Sequence, residues 1–596
     1  MAEGQTIESI LVADCGTVIT KLLLVDRVDD AYRVVAQAQA QTTGQAPWSD
    51  LSVGVVQAVQ ELESITGRQL YERGRIITPR HDLSGVDAFV ITLNAVAPLR
   101  LILAGLVKEM SLESGRRAAA STYTEIEATL SRERVRGDGD SAGRSSQEVW
   151  ARTVRDLAPD VVLLVGGIDG GARRPVLELA EAVALGASML DEEQRPTVLY
   201  AGNAALRSQV SRLLGDITRV VIADNVHPSA RTEHLGPTQG ALEEVYSEER
   251  LRMAPGAESL SVWSRLPFVP SATAFSRIID FLWHREGNDD RGVLGIDLGA
   301  ANTTMAATFG GRPYTTVYEH GVAHGIVEWA SDHGLARLMQ WMPEQMDEEM
   351  LAAMLFDQQL HPFSVPQASN ELGLQLAIVR EMLRATLNIA RPTWNISGAE
   401  FATSALPQGY TPMPRIDPIL LTGGGIIHTP RPGQALLAIL DGLQPIGITT
   451  VLLDVNHAAT AIGAVAGIKP LIAASALEAG TLVSLGTVIS PVGQTRRGDV
   501  VMRVKIIYDN GSELAVEAHY GELEVWPLLV GQRATLEIRL HRRFDIGMGP
   551  GQGGRVEVLG GLAGLIVDAR GRPLALPKQP DQRRRLLKRW LWDVGG

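Results

Sequence analysis

The chain is almost free of cysteine, with Cys15 as the single one in 596 residues. One cysteine excludes an intrachain disulfide framework and argues against a cysteine-based metal site. No uninterrupted apolar run approaches the roughly 20 residues that a membrane span needs. The first ten residues also lack the basic and apolar regions of a signal peptide. We therefore expect a soluble, cytoplasmic protein in which Cys15 is a small buried residue.

Basic charge and the commonest nucleotide motifs are also missing. The formal net charge is -13, whereas proteins that bind mainly nucleic acid are more often basic, so we expect no DNA partner. There is no Walker A sequence and no GxGxxG after a first strand. What remains is an ordinary globular composition, 45% hydrophobic and 21% charged, and a length that predicts three or four structural units.

The apolar pattern predicts strands that alternate with helices. Residues 8–40 predict a β-meander of three strands, and residues 51–65 predict a helix with one apolar face. A buried strand at 85–94 and a long helix around 98–120 follow. Three further segments, each a short apolar strand running into a turn, lie at 159–171, 196–203 and 219–225. This alternation is typical of α/β layers around a largely buried sheet.

The second half repeats the beginning of the first. Residues 292–319 again read as apolar strand, Asp-x-Gly turn, threonine-rich return strand and short third strand. The repeat predicts two related domains that face each other. Residues 340–400 predict helices, and 417–468 predict strand, glycine loop, helix, strand and helix. After about 478, alternating residues between glycine turns predict a small all-β barrel or sandwich.

The first predicted strand ends in the motif DCGTVITK. A carboxylate at a strand end reaches Mg²⁺ or its waters, and glycine permits the tight turn. Hydroxyls and backbone N–H groups surround phosphate oxygens, and a lysine supplies positive charge. The residues proposed for these roles are Asp14, Gly16, Thr17, Thr20 and Lys21, with Asp14 as a catalytic and metal-binding residue. The alternative is an ordinary β-hairpin.

The second half carries a matching motif, DLGAANTTM. Two such turns in the same strand–turn–strand setting, nearly half a chain apart, indicate a shared phosphate site more strongly than either does alone. The candidate residues are Asp297, again catalytic and metal-binding, and Gly299, Asn302, Thr303 and Thr304.

Two glycine loops follow buried strands. The motif LLTGGGIIHTP places Gly423, Gly424 and Gly425 where a backbone without side chains can lie against a flat ligand such as adenosine. The alternative is a glycine-lined packing turn. The motif GGIDGG has the same form, and Gly166 and Gly167 either contact adenosine or belong to a structural copy that contacts no ligand.

The order of these motifs resembles the glutamate mutase accessory family, also called MutL-type and unrelated to mismatch repair. The resemblance covers roughly residues 8–470, and PDVVLLVGGIDGG and the stretch 419–454 are its most specific parts. It implies an actin-like ATPase that binds ATP or ADP with Mg²⁺. It also implies a partner, an adenosylcobalamin-dependent mutase, which the family helps to release damaged cofactor as nucleotide closes the two lobes.

Three positions of the second loop depart from the family's pattern. Ala300 replaces a glycine, Asn302 a threonine, and Met305 the second acid. The missing acid removes a metal or water contact, so the sequence predicts nucleotide binding and leaves hydrolysis open.

We predict an α/β protein with a two-lobed actin/Hsp70/sugar-kinase-like, ribonuclease H-like ATPase fold and an appended all-β module. The predicted boundaries are 1–285 and 286–475 for the lobes, 476–575 for the module and 576–596 for a basic amphipathic tail. The tail is either a solvated helix end or a binding segment for a membrane surface, RNA or an acidic partner. A homo-oligomer is compatible with this interpretation. Alternative functions are an actin-like scaffold or filament protein, with or without ATPase activity, and a small-molecule kinase.

Overall fold

A computed structural model describes residues 7–131, 146–286, 290–394, 396, 406 and 410–595 of the chain. The chain divides into two compact units. The first unit contains Met1–Thr43, Ser52–Thr92 and Leu260–Gly596, and the second contains Gly44–Leu51 and Leu93–Ser259. The second unit is therefore inserted into the first. The lobe, module and tail boundaries predicted from sequence stay predictions.

Strands and helices alternate through most of the chain, as the apolar pattern predicts. In chain order, the strands are β1 (Ser9–Cys15), β2 (Ile19–Val28), β3 (Ala31–Gln41), β4 (Tyr71–Glu72), β5 (Arg75–Ile76), β6 (Ala88–Leu93), β7 (Leu99–Gly105), β8 (Thr124–Ser131), β9 (Val161–Leu164), β10 (Thr197–Tyr200), β11 (Val220–Ile222), β12 (Val269–Pro270), β13 (Gly292–Leu298), β14 (Thr303–Phe309), β15 (Arg312–Tyr318), β16 (Ile416–Thr422), β17 (Gly447–Leu453), β18 (Val483–Ser490), β19 (Val500–Tyr508), β20 (Glu513–His519), β21 (Leu523–Trp526), β22 (Arg533–Leu540), β23 (Arg555–Leu559) and β24 (Leu565–Asp568). The helices are α1 (Leu51–Thr66), α2 (Glu113–Ala119), α3 (Ser146–Leu157), α4 (Arg174–Ser188), α5 (Arg207–Leu214), α6 (Gly236–Tyr246), α7 (Ala257–Ser264), α8 (Ser271–Glu286), α9 (Ile326–His333), α10 (Ala336–Met339), α11 (Glu348–Leu360), α12 (Ser369–Ala390), α13 (Gly424–Ile427), α14 (Pro432–Leu443), α15 (Ala459–Ala466), α16 (Pro470–Glu478) and α17 (Pro580–Asp593).

The first unit contains two sheets that begin with the same meander. The first is a five-stranded sheet in the order β12-β6-β1-β2-β3, with β1, β2 and β3 antiparallel. The second is an eight-stranded sheet in the order β15-β14-β13-β16-β17-β18-β24-β21. In it β13, β14 and β15 form the antiparallel meander, and β16 and β17 run parallel to β13. The internal repeat seen in the sequence is thus a repeat of sheet topology.

Two helices share a core with both sheets. Alternate side chains of β13 point to opposite faces, so Val293 lies in the core that contains α8 and α15, while Leu294 and Ile296 lie in the core of the large sheet. The core with α8 and α15 also contains Ile10 and Val12 of β1. Both meanders are therefore packed on one pair of helices.

The C-terminal region contains the expected antiparallel sheet. Four strands form it in the order β20-β19-β22-β23. The strands β18, β21 and β24 instead extend the eight-stranded sheet. Ile489 and Leu565 of these strands share a core with the small sheet, whereas Val488 and Ile566 face the core of the large one. The two sheets thus form a sandwich through alternate faces of the same strands.

The basic tail forms helix α17, whose apolar face is covered by the first unit. Leu587 is 1% exposed and Trp590 is 4% exposed, and both belong to the core of the large sheet. The guanidinium of Arg570 lies 4.6 Å from the Trp590 ring centre. The apolar side chains of this helix therefore stabilise the fold, while its basic residues lie on the outer side.

The second unit is a parallel α/β sheet. Its strands lie in the order β11-β10-β9-β7-β8, and all neighbouring pairs are parallel. The prediction of one long helix around 98–120 is wrong here: residues 99–105 form the buried strand β7, and α2 begins only at Glu113. Apart from Arg100, the run LRLILAG is apolar because the strand is buried on both faces, a pattern that periodicity alone does not separate from a buried helix.

Candidate functional site

The carboxyl ends of three parallel strands form one edge of the large sheet. Asp297, near the end of β13, pairs in register with Thr422, the last residue of β16. Leu421 pairs with Leu453 on β17, so Asp454 directly follows at the same edge. The predicted second phosphate loop and the predicted adenosine loop therefore leave the sheet side by side.

Asp454 is a site residue that sequence reasoning missed. Its Oδ2 accepts a 3.0 Å hydrogen bond from Thr422 Oγ1, and its oxygens accept from the N–H groups of Ala458 at 2.9 Å and Ala459 at 2.8 Å. Burial raises the pKa of this carboxyl, while these hydrogen bonds and Lys21 act to lower it. The signal for it was present in the sequence, since TVLLD is an apolar strand that ends in an acid, like the strands before Asp14 and Asp297.

The first loop connects β1 to β2 as a tight hairpin. The N–H of Gly16 donates to Ile19 O at 3.1 Å, and Asp14 pairs in register with Lys21 on the return strand. Asp14 Oδ1 accepts hydrogen bonds from Thr92 Oγ1 at 2.6 Å and from Ser271 Oγ at 3.2 Å. The Asp14 carboxylate is thereby held in one orientation.

Electrostatics link the two loops. The pKa of Asp297 is raised to about 6: burial is the largest cause, Lys21 acts to lower it, and Asp14 and Asp454 add to the rise. The Lys21 ammonium therefore lies within electrostatic range of the carboxyls of Asp297 and Asp454. Three carboxylates and one ammonium within mutual influence form the kind of perturbed cluster that marks candidate functional sites.

Cys15 confirms the expectation of a buried residue. Its side chain is 0% exposed, and burial, with Asp14 as the second cause, raises the pKa of its thiol to about 12. The thiol is therefore protonated at neutral pH and unreactive.

Two of the threonine hydroxyls predicted to contact phosphate have partners within the protein. Thr20 is 0% exposed and its hydroxyl lies 3.0 Å from Thr42 Oγ1. Thr303 is also 0% exposed and donates to His320 O at 2.9 Å. Thr17 is half-buried in the first hairpin turn, whereas Thr304 is buried and pairs in register with Asp297. Thr17 is thus better placed than Thr20 to meet a ligand.

The second loop has a compact backbone around its predicted residues. Gly299 N–H donates to Asn302 O at 3.0 Å, closing the turn, and Asn302 is 6% exposed. The segment from Gly321 wraps this turn, since Val322 N–H donates to Gly299 O at 3.0 Å. Met305, at the position of the family's second acid, is 1% exposed in the core of the large sheet.

The glycine loop after β16 requires glycine for close approach. Gly423 has φ of +97°, and a Cβ there would lie 2.3 Å from Leu298 O. A Cβ on Gly425 would lie 2.5 Å from Val322 Cγ1. Gly424 begins the short helix α13. The loop therefore lies directly on the end of β13, beside the second phosphate loop.

Two histidines lie at the same edge. The ring centres of His428 and His457 are 5.8 Å apart. His457 has φ of +51°, and its Nδ1 is buried without a hydrogen-bond partner. Burial, then Lys21 and His428, lower the pKa of His457 to about 2. His457 is thus a neutral imidazole at physiological pH, with one ring nitrogen unused.

The GGIDGG loop lies in the second unit, after β9. Its polar groups are bonded within that unit: Asn225 Nδ2 donates to Gly167 O at 2.9 Å, and Gly170 N–H donates to Asn203 Oδ1 at 3.1 Å. Gly166 has φ of +126°, which favours glycine, and Asn203 N–H donates to its carbonyl at 3.1 Å. A contact of Gly166 and Gly167 with adenosine stays a prediction.

The cluster around Asp297 fits a hydrated Mg²⁺ with a phosphate ligand. Mg²⁺ usually keeps several waters and takes one or two carboxylates together with substrate phosphates. The crowded, partly desolvated carboxylates of Asp14, Asp297 and Asp454 are relieved by a cation, as the raised pKa of Asp297 indicates. Elsewhere, ligand atoms of His519, Glu522 and Glu524 lie within 4.8 Å of one another, but Glu522 pairs with Arg589 at 3.1 Å.

Two sheets that each begin with a three-stranded meander, packed on shared helices, define the actin-like ATPase class of fold. In the second of them, strand order and direction follow the ribonuclease H-like pattern, in which the first strand lies between its antiparallel partner and two parallel strands. The model of the MutL protein family matches residues 10–480. This chain belongs to that family, the MutL family of the glutamate mutase type.

Solved structures give distant matches. A nucleotide-free acetone carboxylase shares 12% identity at a TM-score of 0.31, covering 86% of this chain and 81% of that one. An ATP-dependent caprolactamase from Pseudomonas jessenii shares 11% sequence identity at a TM-score of 0.33, and the match covers 85% of this chain and 81% of that one. Xylulose kinase from Bifidobacterium adolescentis shares 12% sequence identity at a TM-score of 0.26, and the match covers 81% of this chain and 96% of that one. Comparison with curated proteins gives no match.

None of the helices within the described ranges combines the length and the apolar character that crossing a bilayer requires.

Proposed function

We propose that this protein binds ATP or ADP with Mg²⁺ and serves as an accessory protein of an adenosylcobalamin-dependent mutase, helping it to release damaged cofactor. The observation that supports nucleotide binding is that Asp14 and Lys21, on the five-stranded sheet, influence the carboxyls of Asp297 and Asp454 at one edge of the large sheet. Membership of the MutL family supports the mutase partner.

In this proposal each loop has one task. Asp14 and Asp297 hold Mg²⁺ through its waters, and Lys21 offsets the phosphate charge. The N–H groups of Gly16 and Gly299 close the two hairpin turns by donating to Ile19 O and Asn302 O, and the half-buried Thr17 hydroxyl of the first turn donates to a phosphate oxygen. The glycine loop from Gly423 lies against the adenosine, because its backbone carries no side chains that would hold a flat ring away.

The protein binds nucleotide more readily than it hydrolyses it. Hydrolysis needs a group that orients the attacking water, and the family's second acid is replaced by Met305, which is buried away from the edge. Asp454 does not replace that acid, since its oxygens already accept hydrogen bonds from Thr422, Ala458 and Ala459. Slow or absent turnover is therefore expected.

Nucleotide acts as a conformational signal on this account. It contacts loops from both sheets, so it stabilises the arrangement in which both loops reach it at once. The mutase then senses that arrangement as a change in affinity.

The experiment is a reactivation assay. A purified adenosylcobalamin mutase, loaded with an inactive cobalamin, is mixed with this protein, adenosylcobalamin and Mg·ATP, and recovered mutase activity is measured. Recovery that depends on ATP and is lost in Asp297→Ala supports the proposal. Nucleotide binding without recovery, across the mutases found in the source organism, contradicts the partner while leaving the nucleotide site in place.

A further inference from the structure

A cavity of about 380 Å³ opens at the other end of β13 from the proposed nucleotide site. Its lining includes Gly292, the first residue of β13, and Arg415, which directly precedes β16. Asp297 lies five residues beyond Gly292, about 16 Å away at the rise of an extended strand. The cavity is therefore separate from the site described above.

Aromatic side chains form one wall of this cavity. Trp394 is 2% exposed and Phe309 is 9% exposed, and their ring centres lie 5.3 Å apart. The ring centre of Tyr314 lies 6.4 Å from that of Phe309. Gly292 is required beneath them, since a Cβ there would lie 2.0 Å from the Phe309 ring. The wall is thus a rigid, built surface.

The lining of the cavity is also basic. Arg291, Arg312 and Arg415 all line the cavity, against the single acid Asp290. Arg291 pairs with Asp417 at 2.8 Å. Within the described part of the chain, neither Arg312 nor Arg415 has a carboxylate at ion-pair distance. Two guanidiniums beside an aromatic wall, without a carboxylate at ion-pair distance among the described residues, stand out in a protein whose formal net charge is -13.

We propose that this cavity binds a small aromatic phosphate or carboxylate. Its volume lies within the range of small-molecule sites, which combine apolar and aromatic walls with a few polar groups. Arginine recognises planar or tetrahedral oxyanions with several parallel N–H donors, so Arg312 and Arg415 bind the anion. Tyr314, which is half-buried and whose ring centre lies 6.4 Å from that of Phe309, contacts the ring of the ligand. The inference does not depend on nucleotide binding.

The test uses phenyl phosphate and benzoate as probes, with tryptophan fluorescence and calorimetry as readouts. A ligand of this size is expected to bind with a Kd of about 1 mM. Ligand binding changes the emission of Trp394, and that change disappears in Trp394→Phe. Arg312→Gln and Arg415→Gln each weaken binding about tenfold. Arg503→Gln, a change of an exposed arginine on β19, leaves it unaltered.

Three results would overturn the proposal. One is no binding of either probe up to about 10 mM. Another is affinity for inorganic phosphate equal to that for phenyl phosphate, which would exclude a role for the aromatic wall. The third is displacement by ADP together with loss of binding in Asp297→Ala, which would assign the probe to the other end of β13. Arg312 is exposed, so Arg312→Gln keeps the test valid if Arg415→Gln does not fold.

Discussion

The carbonyl oxygen of Ala274 on α8 lies where a side chain at position 463 of α15 would begin. A Cβ placed on Gly463 would be 1.9 Å from that oxygen, closer than any real contact. The two helices therefore cross with their backbones almost touching. Because both sheets of the first unit pack on these helices, this crossing holds the two proposed phosphate loops in one site.

Gly463→Ala is accordingly expected to lower the free energy of unfolding by about 1–3 kcal/mol, the usual range for overpacking. Gly240→Ala is the matched control, since Gly240 lies in helix α6 with nothing within 4 Å of its added Cβ. That change should raise stability by about 0.5–1 kcal/mol through helix propensity. Denaturant unfolding of both variants measures the difference, and equal effects would contradict the close crossing.

A buried ion network supports the junction between the large sheet and the C-terminal sandwich. Asp441 on α14 accepts from Arg380 Nε at 2.7 Å and pairs with Arg570 at 2.7 Å. Arg570 and Arg572 hold the pKa of Asp568 below its usual range although its burial acts to raise it. Asp441→Ala removes the carboxylate that pairs with the buried Arg380 and one of the two carboxylates that pair with Arg570, and it is expected to lower the free energy of unfolding by about 3–5 kcal/mol.

The control for Asp441 is Asp581→Ala. Asp581 also pairs with an arginine, Arg584, but its side chain is 81% exposed. Exposed ion pairs contribute little to stability, so Asp581→Ala should change the free energy of unfolding by no more than about 0.5 kcal/mol. Unfolding free energies that differ little between the two variants would show that the network does not support the fold.

Two tryptophans of α17 provide a test of the docked tail. Trp590 is 4% exposed against the core, whereas Trp592 is 77% exposed. Trp590→Ala should lower the free energy of unfolding by about 3–5 kcal/mol, and Trp592→Ala by less than about 0.5 kcal/mol. A tail that bound only an external partner would give two small and similar values.

The pH dependence of stability reports on Asp297. Its pKa is raised to about 6 in the folded protein, above the roughly 3.9 of an unfolded aspartate. The folded state therefore binds the proton more tightly, and the stability from this group is lost as pH rises from about 4 to about 6. Asp297→Asn mimics the protonated form. In the absence of Mg²⁺ and nucleotide it should raise stability at pH 7 and change it little at pH 4.

The same unfolding measurements on Asp191→Asn provide the control, because Asp191 is an exposed residue of the second unit. Asp191→Asn should change the free energy of unfolding little at both pH 4 and pH 7. An Asp297→Asn effect that is identical at pH 4 and pH 7 would contradict a raised pKa for that carboxyl.

Local patterns in the sequence predict much of the fold. The two meanders are visible because each first strand ends in an Asp-x-Gly turn, and the alternation of residues after 478 predicts the antiparallel sheet. The strand β7 is mistaken for a helix because a strand buried on both faces has no period of two. Asp454 escapes sequence reasoning because its role depends on β13, β16 and β17 being adjacent, which only the topology provides.

The placement of β18, β21 and β24 is not predictable for a related reason. Their alternation is the same as that of the small sheet, and only the pairing of Val451 with Gly486 reveals that β18 continues the large sheet. Lys21 shows the opposite case: its residue type and its pairing with Asp14 are predictable, but its electrostatic influence on Asp297 is not.

Calorimetric titration with Mg·ATP decides whether the two loops form a nucleotide site. We predict binding with a Kd of about 1 μM, weakened at least tenfold in Asp14→Ala, in Asp297→Ala and in Lys21→Gln, and unchanged in Asp191→Asn. No heat of binding for the intact protein with either Mg·ATP or Mg·ADP, or equal affinity in all these variants, would contradict a nucleotide site at the carboxyl ends of β1, β13 and β16.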